Sequence, residues 1–164
     1  MNYRQKPQSA NLYQSAQTIV YVRWNPSYSL GIKQIDDQHK RLLGFVNDLY
    51  NHALDDETDK REFFKAIIGQ VVDYIKKHFA IEEKVMLATQ FPGYYIHKMA
   101  HEEFVLTVVK TVKDFEAGKR LVLTNFSNYL RNWILSHIAI VDVKYCDYIK
   151  KIAARNTDGK LCVI

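Results

Sequence analysis

The chain has 164 residues, 48% of them hydrophobic and 25% charged, the make-up of one globular domain with a sizeable core. No stretch approaches the roughly 20 apolar residues of a membrane span, and the formal charge of +5 is scattered without a basic run or an aromatic stacking motif, which argues against membrane and nucleic acid as partners. Cys146 and Cys162 show neither CxxC spacing nor a disulfide framework, and residues 1–20 hold no apolar leader, so reduced thiols in the cytoplasm are expected.

Residues 1–18 are polar, rich in Gln and Ser, and read as an N-terminal extension. Residues 19–33 mix apolar, aromatic and turn residues (Ile19, Val20, Tyr21, Val22, Trp24, Pro26, Gly31), which predicts an extended arm lying on another element. A first helix is predicted over 33–54. Its apolar seam is Ile35, His39, Leu42, Val46, Leu49 and Ala53, stepping 4, 3, 4, 3, 4 as in a bundle helix. A loop follows at Asp55–Thr58, with Asp59 and Glu62 spaced as a capping box. The second helix, 59–88, carries the seam Phe64, Ile68, Val71, Ile75, His78, Glu82. A carboxylate in an apolar stripe is costly unless it is paired or coordinates a metal. After the turn Gln90-Phe91-Pro92-Gly93, a third helix over 94–117 carries His97, His101, Phe104, Val108, Val112 and Phe115, and Gly118 closes it.

The fourth helix, 124–154, begins its seam Phe126, Leu130, Trp133, His137. Asp142 then comes five residues after His137, a rotation of about 140° on a regular helix. If both face the core, a π-type turn must lie at 138–142; otherwise the helix runs on with Val141 on the seam. Residues 156–164 form a short tail, which leaves 19–155 as the domain.

Four amphipathic helices with short connections predict an all-α, antiparallel up-down-up-down four-helix bundle with an N-terminal arm. In that topology His39, His78, Glu82, His97, His101, His137 and Asp142 all fall toward one end, on buried seams. HxxxH and HxxxE spacings put both side chains on one helix face. Five imidazoles and two carboxylates exceed the four ligands of a structural zinc. They suit two first-row ions bridged by carboxylates, with iron or manganese favoured by mixed nitrogen and oxygen donors. Mostly neutral donors point to reversible ligand binding over oxidative attack on a substrate.

Trp24-Asn25, Ser29-Leu30-Gly31-Ile32, Ile35-Asp36-Asp37-Gln38-His39, the region of Asn47, His78-Phe79-Ala80-Ile81-Glu82-Glu83, His97-Lys98-Met99-Ala100-His101 and Trp133-Ile134-Leu135-Ser136-His137-Ile138 with Asp142 follow one another in the order and spacing of a known family. Over residues 19–150 the chain resembles the hemerythrins, in particular the bacteriohemerythrins. The resemblance implies O2 as the ligand, bound reversibly at two non-heme Fe ions joined by an oxo or hydroxo bridge, for storage, delivery or sensing. It implies His97, His101 and His137 on one iron, His39 and His78 on the other, Glu82 and Asp142 across both, and an apolar O2 pocket of Leu42, Phe79, Trp133 and Ile138. The alternatives are a di-iron oxidase, a peroxidase or a nitric-oxide-handling enzyme on the same site, and a module whose iron state controls partner binding. A related iron–sulfur repair family fits the arm motif and the HxxxE less well. Of the remaining residues, His52 is expected to be solvated, Glu83 to point about 100° away from Glu82 toward the surface, and Cys146 to be a structural thiol.

Overall fold

A computed structural model describes residues 19–54, 60–120 and 122–157. The N-terminal extension, the Asp55–Thr58 loop, Asp59 of the expected capping box, Cys162 and the tail from residue 158 lie outside the described residues. The elements in chain order are a 3-10 turn at Pro26–Tyr28, α1 Lys33–Leu54, α2 Lys60–Ala88, α3 Tyr94–Glu116, α4 Val122–Ser136, a π-helical turn at His137–Asp142, and α5 Val143–Thr157. Ser136 and Val143, on either side of the π turn, both keep right-handed helical backbone, so α4, the turn and α5 form one continuous rod. The four rods pack in a ring in which α1 touches α2 and α4, and α3 touches α2 and α4. This is the four-helix bundle expected from the seams.

The arm is held by the side chains of α1. Val22 donates its backbone N–H to Asn47 Oδ1 at 2.9 Å, and Asn47 Nδ2 returns a bond to the Val22 carbonyl at 2.9 Å. One helical turn on, Asn51 does the same for Ile19, both bonds at 2.8 Å. Two asparagines four residues apart thus replace the neighbouring strand that extended backbone needs for its polar groups. Closer to the helix, the Asp36 carboxylate accepts from Leu30 N at 2.7 Å and from Ser29 Oγ at 2.6 Å. Gly31 between them has φ +74°, and a Cβ there would meet the Lys150 side chain at 3.3 Å. A glycine is the residue that makes that turn without strain.

Two helices end in the same way. Gly118 (φ +71°) follows α3, with Gly118 N bonded to Phe115 O and Lys119 N to Asp114 O. Gln90 (φ 55°) follows α2, with Gln90 N bonded to Leu87 O and Phe91 N to Met86 O. Both are Schellman motifs. Gln90 is the one that carries a side chain in the left-handed region.

The core runs the length of the bundle through Leu42, Val46, Leu49, Phe64, Val71, Ile75, Phe104, Phe126, Leu130 and Ile134, all almost fully buried. Each such side chain contributes about 1.5–3 kcal/mol by leaving water. At the far end the α2 seam widens: Ile67 is buried and Ile68 only half so. Toward the other end the buried row changes from aliphatic to histidine and carboxylate. Among the described residues no helix is long and apolar enough to cross a membrane.

Candidate metal centre

The π turn settles the phase problem of the fourth helix. Val143 N bonds to Ile138 O, five residues back, so the turn takes up one extra residue. His137 and Asp142 are thereby both buried, and His137 Nε2 lies 3.1 Å from Asp142 Oδ1. On α2 and α3, ordinary helix suffices: His78 with Glu82 and His97 with His101 are each one turn apart on the buried face. His39 is buried from the second turn of α1.

All seven predicted ligand residues converge, and they sort into two groups around the carboxylates. Glu82 Oε2 faces His101 Nε2 at 3.2 Å and His97 Nε2 at 3.6 Å, while its Oε1 faces His78 Nε2 at 3.5 Å and His39 Nε2 at 3.9 Å. Asp142 divides its oxygens in the same sense: Oδ1 toward His137 at 3.1 Å and His97 at 3.4 Å, Oδ2 toward His39 at 3.1 Å. One half therefore gathers His97, His101 and His137 with two carboxylate oxygens, and the other gathers His39 and His78 with the two remaining oxygens. Five donors face one position and four the other, so of two ions held alike the one in the two-histidine half would keep one more place for an outside ligand.

The donor set fits metal ions. Both carboxylates are 0% exposed, yet among the described residues His39 Nε2, His137 Nε2, Glu82 Oε2 and both Asp142 oxygens lack a hydrogen-bond partner. Leaving buried polar groups so costs about 1–3 kcal/mol each. The His97 and His101 Nε2 atoms approach to 3.1 Å. An ion with bonds of about 2.1 Å sets neighbouring donors roughly 3 Å apart, close to the 3.1–3.6 Å found around the three-histidine half. Nitrogen and oxygen donors without thiolate, in numbers above four, suit iron.

The electrostatics agree. Burial pushes the Glu82 carboxyl up, but His78 and the contacts from His101 and His97 outweigh it and hold the group well below the usual carboxylate range. Burial and Glu82 push Asp142 up, and His137 and His39 hold it below its ordinary value. Burial lowers His78 to about 4, so its imidazole is neutral and able to ligate at neutral pH.

Around the donors stands a set of supporting residues, part of which the sequence reading assigned otherwise. Glu83, expected at the surface, accepts from His101 Nδ1 at 3.1 Å. Its 100° offset from Glu82 turns it toward α3 while leaving it partly open to solvent. Gln38, next to His39, accepts from His78 Nδ1 at 2.9 Å with its amide oxygen. Tyr145 is 1% exposed and donates its hydroxyl to Glu82 Oε1 at 2.9 Å. Burial and the Glu82 charge keep that hydroxyl protonated far above its ordinary range. A polar residue just before or after a seam ligand is the signal that could have marked Gln38 and Glu83 in advance. His52, expected to be solvated, stacks on Phe63 with ring centroids 3.7 Å apart and lies 2.8 Å from the Asp48 carbonyl. Cys146 is buried and unpaired, and burial pushes its thiol up to about 12, so it is an inert packing residue.

The four apolar residues expected around the open position are placed as follows. Leu42 and Ile138 are buried. Phe79 stacks on His101 at 3.6 Å and lies 5.9 Å from the His78 ring. Trp133 stacks on His137 at 4.2 Å. Phe79 is thus in reach of both halves, and Trp133 lies against the three-histidine half.

A four-helix bundle holding two metal positions, bridged by buried carboxylates and otherwise made of imidazoles, defines a histidine-rich di-metal protein. Residues 30–146 match the family model of the hemerythrin HHE cation binding domain. The chain is 32% identical over 127 residues to the bacteriohemerythrin of Stenotrophomonas maltophilia, covering 77% of this chain and 80% of that one. It is 32% identical over 122 residues to hemerythrin subunit 1 of Golfingia vulgaris, covering 74% and 88%. The crystal structure of a wild-type hemerythrin superposes with a TM-score of 0.69 at 27% identity, covering 77% of this chain and 96% of that one. The chain belongs to the hemerythrin family.

Proposed function

We propose that the protein binds O2 reversibly at a di-iron centre, with His97, His101 and His137 on one iron, His39 and His78 on the other, and Glu82 and Asp142 across both. The observation that supports this most is the division of the carboxylates, each of which turns one oxygen to each histidine group. Two irons held there would supply the electrons by which O2 is taken up and given back unchanged. The residues do the rest. Tyr145 fixes the orientation of Glu82 through its hydroxyl. Glu83 and Gln38 hold the tautomers of His101 and His78 with the outer nitrogen protonated, which leaves Nε2 to ligate. Leu42, Phe79, Trp133 and Ile138 wall the site with apolar surface, so that a small neutral molecule enters and water and anions are kept out.

A carrier needs that exclusion, whereas an oxidase acting on a larger substrate needs an opening. The buried donors and the aromatic stacks over His101 and His137 favour the carrier over the enzyme. The unpaired thiol of Cys146 fits a cytoplasmic setting, and residues 19–155 constitute the oxygen-binding domain.

Elemental analysis of protein from iron-replete cells should give two irons per chain. Glu82→Ala should lose both, because this side chain serves both halves. One zinc and no iron per chain would refute the reading.

A further inference from the structure

The two halves differ in more than ligand number. Two of the imidazoles have a side-chain acceptor on the outer nitrogen, one in each half, and those acceptors differ in charge. His101 Nδ1 meets the Glu83 carboxylate at 3.1 Å, and His78 Nδ1 meets the neutral Gln38 amide oxygen at 2.9 Å. The outer nitrogens of His39 and His97, again one per half, have no partner among the described residues. Glu83 is 24% exposed, so it is spared the cost of full burial. Beside it opens a shallow depression of about 430 Å³ lined by Phe79, His101, Glu102, Val105 and Leu106, so Glu83 sits at the edge of solvent with its carboxylate against the back of His101. Glu82 and Glu83 thus act as a pair on α2: one carboxylate faces inward between the halves, and the next is turned against the back of a single imidazole.

We infer that Glu83 is a positioning residue that makes the three-histidine half the tighter metal position, and that Gln38 leaves the two-histidine half the looser one. A carboxylate behind an imidazole draws on the Nδ1 proton and makes Nε2 a stronger donor, whereas a neutral amide fixes the ring without that gain. Loss of such support lowers metal affinity by about 10- to 100-fold. The extra donor of the three-histidine half acts in the same direction, so the variants must isolate the part due to charge. Glu83→Gln keeps an acceptor oxygen and removes the charge; Gln38→Glu adds the charge on the opposite half.

The inference rests on the di-iron reading, and one experiment separates the two. Iron-loaded, reduced protein is mixed anaerobically with a colour-forming ferrous chelator, and iron release is followed in time after total iron has been measured. The wild type should release one iron quickly and one slowly. Glu83→Gln should speed the slow phase about 10- to 100-fold and leave the fast phase in place, and Gln38→Glu should slow the fast phase. A structural role for Glu83 alone would lower the unfolding temperature and speed both phases alike, which would overturn the inference. So would slow-phase kinetics unchanged in Glu83→Gln, and, should that variant not fold, a fast phase unchanged in Gln38→Glu. A wild-type total below two irons overturns the di-iron reading beneath it.

Discussion

Tyr145→Phe removes one hydroxyl from the buried ligand end of the bundle and nothing else. The ring is 1% exposed and packs 5.4 Å from the His97 ring, so the phenyl group refills the same space and leaves no cavity. What is lost is a 2.9 Å hydrogen bond to Oε1 of a carboxylate that is itself 0% exposed. A hydrogen bond to a charged group contributes about 1.5–3 kcal/mol. In metal-free protein that full range is expected, because Glu82 has no other donor of comparable constancy on that oxygen. For a chain of this size it corresponds to roughly 4–10 °C in unfolding temperature. In iron-loaded protein, iron held by Glu82 would take over part of this role, and the loss should fall toward about 1 kcal/mol. Iron affinity should drop about 10- to 100-fold, since Glu82 is then free to turn away from the position it would bridge. Thermal unfolding of both forms by circular dichroism, with competition against a chelator, measures all of this. Equal unfolding temperatures for wild type and Tyr145→Phe in the metal-free form, with unchanged iron retention, would refute the reasoning. An equal loss in both forms would show that the bond supports packing and not the carboxylate.

Other outcomes follow from the same geometry. Leu42→Ala, one turn from His39, should keep the iron content near normal and lose about 2–5 kcal/mol of stability, while loss of O2-binding capacity on standing in air becomes faster; unchanged loss in a spectroscopic time course removes Leu42 from the wall. Gln90→Gly relieves a side chain at φ 55° and should stabilise the protein by about 1 kcal/mol in chemical denaturation. His78 is held at about 4 in the folded chain against an ordinary 6.5, so the unfolded chain binds more protons between those values. Stability of the metal-free protein is therefore complete above pH 6.5 and lost as pH falls toward 4, by on the order of 3 kcal/mol from this group; a flat unfolding midpoint across that window contradicts the assignment.

The ligand end of the molecule was legible because burial there conflicts with residue type. His78 and Glu82 lie on the apolar phase of α2 where Ile or Leu would otherwise stand, and nothing but pairing or metal makes that stable. The five-residue gap from His137 to Asp142 was legible for a related reason: a regular helix cannot bring both inward, and the π turn is the local break that does. Glu83, Gln38 and Tyr145 were not legible as supports. Each acts across an interhelical gap whose width depends on how α1, α2, α3 and the fourth rod lean on one another, and a single-helix projection holds no such information. Glu83 shows this most clearly, since its azimuth was read correctly but the neighbour waiting at that azimuth, His101, was not. His52 is half-exposed, but the ring of Phe63 that stacks on it belongs to α2 and was likewise out of reach of a single-helix projection. On the arm, the extended backbone was foreseen, but the matched pair of Asn47 and Asn51 that holds it becomes visible only once the arm and α1 lie side by side.

Titration of the anaerobically reduced protein with O2, followed by absorbance and then by exchange into oxygen-free argon, tests the central claim most directly. One O2 should be taken up per two irons, and argon should restore the reduced spectrum over repeated cycles. O2 consumed beyond that ratio in the presence of a reductant, with no return under argon, would contradict reversible binding and make the centre an oxidase.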